Sequence, residues 1–208
     1  MVVATGFFDG VHIGHRKVLG QLVEAARARG GESMVITFWP HPRTVLQKDA
    51  RSLRLLSSLS EKTALIRSLG VDRVEVLDFS REFCALSCRD YLKEVVRDRF
   101  GADAILLGYD NRMGSDCCSP DQAAATAMDL GLEVIRCASI DDGGAAISST
   151  RIRKALEEGR VDDAARMLGR PYSLHGVVVA GNRLGRSIGF PTANMQLYEP
   201  LKQLPGNG

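Results

Sequence analysis

Two histidines that lie three residues apart, His12 and His15, could act together on a phosphate group. Because residues at this spacing face the same side of a helical turn, both imidazoles can point into one space. There they could donate hydrogen bonds to the charge that develops on a phosphoryl group and on a leaving pyrophosphate. A single histidine at a helix start would more simply cap the helix or pack in the core. The pair around Gly14 instead predicts nucleotidyl transfer, with His12 and His15 as catalytic residues.

The segment that contains this pair, residues 6–15, reads GFFDGVHIGH and joins an apolar run to an amphipathic one. Its glycines let the backbone approach a ligand closely, and the start of a helix offers free N–H groups to phosphate. The segment therefore predicts a cradle for the phosphates of ATP. Two histidines could also begin a metal site, but no third ligand lies at a usual spacing, so no metal ligand is predicted. The predicted ATP-binding residues of the segment are Gly6, Phe7, Phe8, Asp9, Gly14 and His15.

A second polar and basic segment, ISSTRIR at residues 147–153, opens a helix expected to run to Glu158. Ser148 or Ser149 is the expected N-cap, and an ordinary solvated helix start would have the same composition. Beside a first phosphate site, however, the two arginines would supply the positive charge that a triphosphate needs. Arg151 and Arg153 are therefore candidates for binding phosphate.

Two more segments could meet the second substrate. Residues 38–42, FWPHP, follow an apolar run, and their aromatic pair could stack against a flat ring, although a rigid proline turn explains them nearly as well. Residues 108–114 follow the apolar run that ends at Leu107, and Asp110 there could contact a metal or a second substrate or form a polar turn.

These segments must be positioned by strands and helices. In the sequence, short apolar runs typical of β-strands alternate with amphipathic helical segments. The runs at residues 2–5, 34–38, 74–77, 104–107 and 132–137 predict buried strands. Helices are expected at residues 16–28 and after Ser87, whose side chain should cap its helix. This order predicts an α/β fold, a Rossmann-like parallel sheet with helices on both faces, whose ligands gather at the carboxyl ends of the strands.

The pattern changes after about residue 170. A strand run at residues 173–180 is followed by three glycines and by no predicted helix. A boundary near Arg170–Pro171 is therefore expected, with one domain at residues 1–170 and the incomplete start of another at residues 171–208. So short a remainder rarely closes a core alone.

Composition narrows the class of protein. The 208 residues are 45% hydrophobic and 25% charged, which is typical of a globular chain. A balance of 27 basic and 25 acidic residues is too even for coating nucleic acid or an anionic membrane. No apolar run approaches the roughly 20 residues of a membrane helix, and five cysteines without CxxC spacing indicate reduced thiols. A cytoplasmic protein without a nucleic-acid or membrane partner is expected.

Six motifs, in order along the chain, resemble those of the nucleotidylyltransferase superfamily, and within it the family of bacterial bifunctional riboflavin kinase/FAD synthetases. They are HxGH at 12–15, TFWPHP at 37–42, GYD at 108–110, ISSTRIR at 147–153, LGRPY at 168–172 and GRSIGFPTAN at 185–194. The resemblance implies a nucleotidylyltransferase fold at residues 1–170, followed by the truncated start of a riboflavin kinase β-barrel. The expected reaction transfers AMP from ATP to FMN, giving FAD and pyrophosphate, with Mg²⁺ accompanying ATP.

The same resemblance assigns further residues. It implies that Arg151 is catalytic and that the neighbouring residues Ser148, Ser149, Thr150 and Arg153 bind ATP. Phe38, Pro40, His41, Asp110 and Asn111 would bind FMN. Thr192 and Asn194 would belong to the Mg-ATP site of the kinase. Phosphorylation of riboflavin, a further substrate, is expected only of a longer chain.

Two other functions stay open. The chain could transfer a nucleotidyl group to another phosphate ester or use CTP. It could also be a fragment that binds flavin or nucleotide without turnover. The number of subunits is not predicted.

Overall fold

Five parallel strands form the central sheet of the computed structural model, which describes residues 1–41, 45, 53–108, 112–137, 141–142, 145–182 and 184–207. The strands are β1 (Val2–Thr5), β2 (Ser33–Trp39), β3 (Arg73–Asp78), β4 (Ala104–Leu107) and β5 (Glu133–Arg136). Their order in the sheet is β3-β2-β1-β4-β5, and every neighbouring pair is parallel. The predicted α/β class and Rossmann-like sheet are confirmed.

The sequence explains why β1 lies at the centre. All four of its residues are buried, as is usual for a strand covered on both faces. Successive side chains of a strand point to opposite faces. Accordingly, Val3 packs in one core cluster with Leu92 and Ala123, while Val2 and Ala4 pack in the other cluster.

The helices and short elements connect these strands as follows. A 3-10 turn (Asp9–Val11) precedes α1 (Ile13–Ala28), and α2 (Leu59–Ser68), α3 (Arg81–Cys84) and α4 (Cys88–Asp90) follow. Helix α4 continues as a π-helical stretch (Tyr91–Arg99), and the next helices are α5 (Pro120–Asp129), α6 (Ser149–Glu157) and α7 (Val161–Leu168). Strands β6 (Asp141–Asp142) and β7 (Ala145–Ala146) form a small antiparallel pair before α6.

The two faces of the sheet carry different helices. One core cluster contains buried residues of α1 and α2, and the other contains residues of the π-helical stretch and α5. The chain adds strands on one side of β1 up to β3 and then on the other side from β4, so the order reverses between β1 and β4. The loops that follow these two strands lead to helices on opposite faces of the sheet. Such a switch point opens a crevice at the carboxyl ends of the strands, which is where the predicted phosphate loop begins.

Two local predictions compare as follows with the structure. Ser87 accepts a hydrogen bond from the backbone N–H of Asp90, so the predicted cap is confirmed. Helix α1 begins at Ile13, three residues before the expected start, because the side chain of His12 caps it.

The last part of the described chain contains a helix that the sequence did not predict. Strand β8 (Gly176–Val179) pairs with β9 (Asn194–Leu197) in antiparallel fashion, and the one-turn helix α8 (Leu184–Ser187) lies between them. The expectation of no helix after this strand was wrong, because Phe190 donates a backbone hydrogen bond to the Gly185 carbonyl at 2.7 Å and closes the turn. The domain boundary near Arg170–Pro171 stays a prediction. Within the described residues, no helix is both long and apolar enough to cross a membrane.

Candidate active site

A polar cavity of about 300 Å³ opens at the carboxyl ends of β1 and β4. It joins the loop after β1 to the start of α6, segments that lie about 140 residues apart in the sequence. The residues that line it are Ala4, Thr5, Gly6, Phe7, Phe8, Asp9, His15, Val18, His41, Leu106, Gly108, Ser149 and Arg153. The structure thus brings together most of the residues that the sequence assigned to ATP.

The loop between β1 and α1 has an unusual backbone. Phe8, Gly10 and Val11 have φ values of 52°, 76° and 41°, a left-handed region that is rare for a β-branched residue such as Val11. Gly10 is required there, since an added Cβ would lie 2.8 Å from the Cδ1 atom of Leu56. Conformations of this kind cost about 1–3 kcal/mol each and persist only when neighbouring contacts enforce them.

The carboxylate of Asp9 supplies those contacts. Its side chain is only 3% exposed and accepts hydrogen bonds from the backbone N–H groups of Leu56 and Ser57, all at 3.0 Å. The hydroxyl of Ser57 also donates to Asp9 at 3.1 Å, and it accepts from the N–H of Gly10 at 3.0 Å. Nη2 of Arg153 completes the set at 2.6 Å. The carboxylate of Asp9 therefore fixes the loop and one arginine, while its role in ATP binding stays a prediction.

His12 and His15 lie face to face. Their ring centroids are 3.6 Å apart with an interplanar angle of 18°. His12 is buried and its Nδ1 accepts the backbone N–H of His15 at 3.3 Å, so it also caps α1. Since an accepting Nδ1 carries no proton, the N–H of a neutral His12 is on Nε2. His12 stands behind His15, whose ring lines the cavity.

Burial determines the charge of both imidazoles. Burial lowers the pKa of His12 to about 4, with Arg153 adding to the effect and Asp9 opposing it. Burial also lowers the pKa of His15 well below 6.5, and the neighbouring His12 and Lys62 lower it further. Among the described residues, the buried Nδ1 of His15 has no hydrogen-bond partner. Both rings are therefore neutral at pH 7 in the free protein, and each can still donate one N–H.

One face of the N-terminal part of α6 lines the cavity. Ser148 is the N-cap and accepts from the N–H of Arg151 at 3.3 Å. Ser149 and Arg153 line the cavity, and the Ser149 hydroxyl donates to the backbone carbonyl of Asp9 at 3.1 Å. Arg151 and Thr150 are exposed, and the guanidinium of Arg151 donates to the Ala146 carbonyl at 2.8 Å. The predicted roles of Arg151 and Thr150 stay predictions.

A second cavity of about 570 Å³ adjoins the first and shares Thr5, Gly6 and Phe7 with it. We call these three residues the shared wall. The other lining residues are Phe38, Phe79, Phe83, Cys84, Leu86, Tyr91, Arg112, Met113, Gly114, Ser115 and Cys117. The Tyr91 hydroxyl lies 2.6 Å from Oγ1 of Thr5, and burial raises the pKa of Tyr91. This cavity is suited to a flat, apolar ring.

The residues that the sequence assigned to FMN do not all line the same cavity. Phe38 lines the second cavity, whereas His41 lines the first, with its ring centroid 4.0 Å from that of Phe7. Pro40 lines neither of these two cavities. Asp110 and Asn111 lie outside the described residues. Thr192 and Asn194 line a third cavity of about 290 Å³ beside β8 and β9.

Sequence reasoning missed four residues of this region. Phe79, Phe83 and Tyr91 form the aromatic wall with Phe38. Phe79 directly follows β3, so the search for aromatic residues at the ends of apolar runs, which selected Phe38 near the end of β2, could have found it. Lys62 gave no signal, because a lysine in an amphipathic helix usually points to solvent. In the structure it is 1% exposed and lies 3.9 Å from the ring centroid of Phe7.

Comparisons with known proteins found the following similarities. The FAD synthetase family model matches residues 1–151, and the riboflavin kinase family model matches residues 168–208. A bifunctional riboflavin kinase/FMN adenylyltransferase from Listeria monocytogenes is 35% identical over 198 residues, which are 95% of this chain and 63% of that protein. The enzyme of the same name from Escherichia coli is 34% identical over 209 residues, covering 99% and 66%. The chain thus spans slightly less than two thirds of the length of these relatives.

One solved structure agrees in fold over the whole chain. The crystal structure of a macrolide-efflux protein from Streptococcus pneumoniae has a TM-score of 0.88 and 32% sequence identity. It is matched over 100% of this chain and 67% of that one.

Proposed function

Because the chain belongs to the FAD synthetase family, we propose that it transfers the AMP part of ATP to FMN, giving FAD and pyrophosphate. The observation that carries this proposal is the pair of adjacent cavities, one polar and one aromatic, that meet at the shared wall. Joining a nucleotide to a flavin requires two binding sites whose phosphate ends converge. The wall formed by Thr5, Gly6 and Phe7 is where this convergence would occur.

In this proposal the polar cavity holds ATP. The loop at residues 6–9 and the start of α1 would receive its phosphates, since the loop can approach closely and the helix start presents N–H groups. The N–H of His15, the hydroxyl of Ser149 and the guanidinium of Arg153 would donate to phosphate oxygens. His12, stacked behind His15, would hold that ring in place. Positioning and electrostatic stabilisation would then supply most of the catalysis.

The aromatic cavity would hold FMN. Its ring system would stack among Phe38, Phe79, Phe83 and Tyr91, and its phosphate would point toward the shared wall. An oxygen of that phosphate would attack the α-phosphorus of ATP, and the bond to the bridging oxygen of pyrophosphate would break as the new P–O bond forms. No covalent enzyme intermediate is involved. Acceptors such as pantetheine phosphate or glycerol phosphate would leave the aromatic wall uncovered.

Magnesium belongs to the proposal as a companion of ATP. Asp9 is the single carboxylate among the described lining residues of the polar cavity, and its oxygens are already occupied. Across the described part of the chain, no group of three or more His, Cys, Asp or Glu residues could hold a metal ion. Mg²⁺ would therefore be held by phosphate oxygens and water, where it would share the charge of the triphosphate.

The names of the relatives include a second activity, riboflavin kinase. Residues 168–208 match that family model, and Thr192 and Asn194 border a cavity there. We propose that these two residues contact a second ATP in a chain that carries the rest of the kinase domain.

The reaction can be tested directly. Protein incubated with ATP, Mg²⁺ and FMN should produce FAD and pyrophosphate, measured by chromatography with fluorescence detection. Replacing FMN with pantetheine phosphate or glycerol phosphate, or ATP with CTP, should abolish most of the product. ATP binding by calorimetry without any FAD at high protein concentration would instead indicate a fragment that binds nucleotide without turnover.

The role of His15 gives a first prediction. His15→Ala should lower kcat/KM for FAD formation by about 100-fold or more, because a preorganised N–H donor is lost from the site. Its circular dichroism and urea unfolding should stay as in the wild type. His175→Ala, which removes a largely exposed histidine outside both cavities, is the matched control and should keep full activity. If His15→Ala unfolds, the imidazole serves the core rather than the reaction.

A further inference from the structure

Lys62 places an ammonium group behind the shared wall. It lies in α2, is completely buried, and donates from Nζ to the backbone carbonyl of Phe38 at 3.2 Å. The same Nζ lies 3.9 Å from the ring centroid of Phe7, in the geometry of a cation–π contact. Within the described residues, no carboxylate lies within 4.0 Å of this ammonium. A buried charge without such a partner is costly, so a lysine at this position suggests a function for its charge.

The charges around Lys62 do not cancel. The carboxylate of Asp9 is paired with Arg153, and burial keeps His12 and His15 neutral at pH 7. The ammonium of Lys62 is therefore a net positive charge at the meeting point of the two cavities. Its field reaches the polar cavity, because it lowers the pKa of His15, whose ring lines that cavity.

We propose that Lys62 is a positioning residue for adenylyl transfer: acting through the Phe7 ring, it draws the phosphates of ATP and FMN to the shared wall. This inference rests on the proposed function. Phe7 lines both cavities, whereas Lys62 lines neither of them, so Lys62 would act without touching either substrate. Both substrates are polyanions, and a charge in a water-poor interior attracts them more strongly than the same charge at the surface.

Three features fix the position of the ammonium. Helix α2 begins with a capping box in which Ser58 and Glu61 satisfy each other's backbone N–H groups. The Phe38 carbonyl ties Nζ to the end of β2, and the Phe7 ring ties it to the loop after β1. The charge is therefore preorganised and needs no rearrangement when the substrates bind.

Lys62→Met tests the charge while keeping the length of the side chain. The KM values for ATP and FMN should each rise about tenfold or more, with a smaller change in kcat, because attraction to the free site is lost. Lys62→Arg keeps the charge and should recover part of this loss. Lys93→Met removes an exposed lysine from the π-helical stretch and should behave as the wild type. Urea unfolding of each variant reports whether it is folded, and Lys62→Met should be, since an apolar side chain of similar size replaces a buried charge.

A pH profile separates the charge from mere packing. Burial lowers the pKa of Lys62 to about 8, with Asp9 opposing the effect. The titratable groups around the Lys62–Phe7 contact are Asp9 in the loop after β1, His15 in α1 and His41 after β2. In the wild type, kcat/KM should fall as pH rises through about 8, because the free protein loses the ammonium proton. That decline should be absent from Lys62→Met and from Lys62→Arg, which stays charged.

The outcomes are decisive. Unchanged KM values in Lys62→Met, a Lys62→Arg variant no better than Lys62→Met, or the same decline near pH 8 in Lys62→Met would each overturn the inference while FAD formation by the wild type stands. Absence of FAD from the wild type would instead overturn the proposed function.

Discussion

His12 and His15 are neutral in the free protein, and this changes what they can contribute. An imidazole with a lowered pKa is a hydrogen-bond donor of fixed orientation rather than a cation. Positive charge for a triphosphate must then come from groups that stay protonated. The structure offers Arg153, which forms an ion pair with Asp9, and Lys62, which forms no ion pair with any described residue.

Stability should depend on pH through His12. Its pKa is lowered from 6.5 to about 4, so between these values the unfolded chain binds a proton that the folded protein does not. The stabilisation is fully present above pH 6.5 and is lost as pH falls through about 4, a difference on the order of 3 kcal/mol in the free energy of unfolding. Urea unfolding at pH 7 and pH 4 measures it.

The matched variants for this prediction are both histidine-to-asparagine changes. His12→Asn keeps a side-chain acceptor that can cap α1 and should lose the part of the pH-dependent difference that comes from His12, while the part that comes from the buried His15 remains. His175→Asn changes an exposed histidine and should keep the wild-type difference. Equal pH dependence in wild type and His12→Asn would show that His12 does not carry the effect.

Helix α1 holds the histidine pair through its first turn. A Cβ added to Gly14 would lie 3.1 Å from both Cε1 and Nδ1 of His12, so that ring would have to move by a few tenths of an ångström. Gly20, in the same helix, has nothing within 4 Å of the corresponding position. Gly14 and Gly20 therefore lie in the same helix, but a side chain would meet the His12 ring only at Gly14.

Gly14→Ala should consequently leave the protein folded but lower kcat/KM for FAD formation by about tenfold, because small displacements of reacting groups are costly. Gly20→Ala should keep full activity and gain about 0.5–1 kcal/mol in the free energy of unfolding, since alanine favours helix over glycine. Thermal unfolding and steady-state kinetics of the two variants test this. If both variants are equally active, the reaction does not depend on the exact position of the His12 ring.

The elements that could be predicted from the sequence are those that a local pattern of apolar residues specifies. The strands at residues 2–5 and 104–107 match β1 and β4 residue for residue, because uniformly apolar runs of this length are typical of a covered parallel sheet. Helix α8 was missed, since its single turn is closed by a backbone contact between Gly185 and Phe190 rather than by side-chain periodicity.

Parts of the site depend on contacts between distant segments. The spacing of His12 and His15 predicted that their rings share one space, and the stacked rings agree. Nothing in the sequence indicated that Asp9 would bind Leu56 and Ser57, or that Lys62 would be buried, because both follow from how α2 packs on the loop after β1.

At the scale of the whole molecule, the region that matches the FAD synthetase family (residues 1–151) contacts the region that matches the riboflavin kinase family (residues 168–208). Leu55 exchanges backbone hydrogen bonds with Leu201 and Gln203, each at 2.7 Å, and the neighbouring Leu56 and Ser57 bind Asp9. The segment at residues 55–57 therefore lies between the last described residues and the phosphate loop. Residues 201–203 thus contact the same backbone segment that holds the Asp9 carboxylate.

An ion pair between Lys202 and Glu61 also belongs to this contact. The Lys202 side chain is buried, that of Glu61 is 9% exposed, and the ammonium donates directly to the carboxylate. Burial alone would raise the pKa of Glu61, but hydrogen bonds from Lys202 and Ser58 outweigh it and lower that pKa. Removing one partner should leave the other charge buried and unpaired.

Lys202→Met should therefore lower the free energy of unfolding by about 3 kcal/mol. The double variant Glu61→Gln/Lys202→Met should lose clearly less than the sum of the two single variants, because no unpaired charge is left. Lys154→Met, which breaks an exposed pair with Glu158, should leave the free energy of unfolding nearly unchanged. If residues 55–57 transmit the change, Lys202→Met should also raise the KM for ATP in FAD formation, and Lys154→Met should not. Additive single and double variants would show instead that Glu61 and Lys202 stabilise the fold independently.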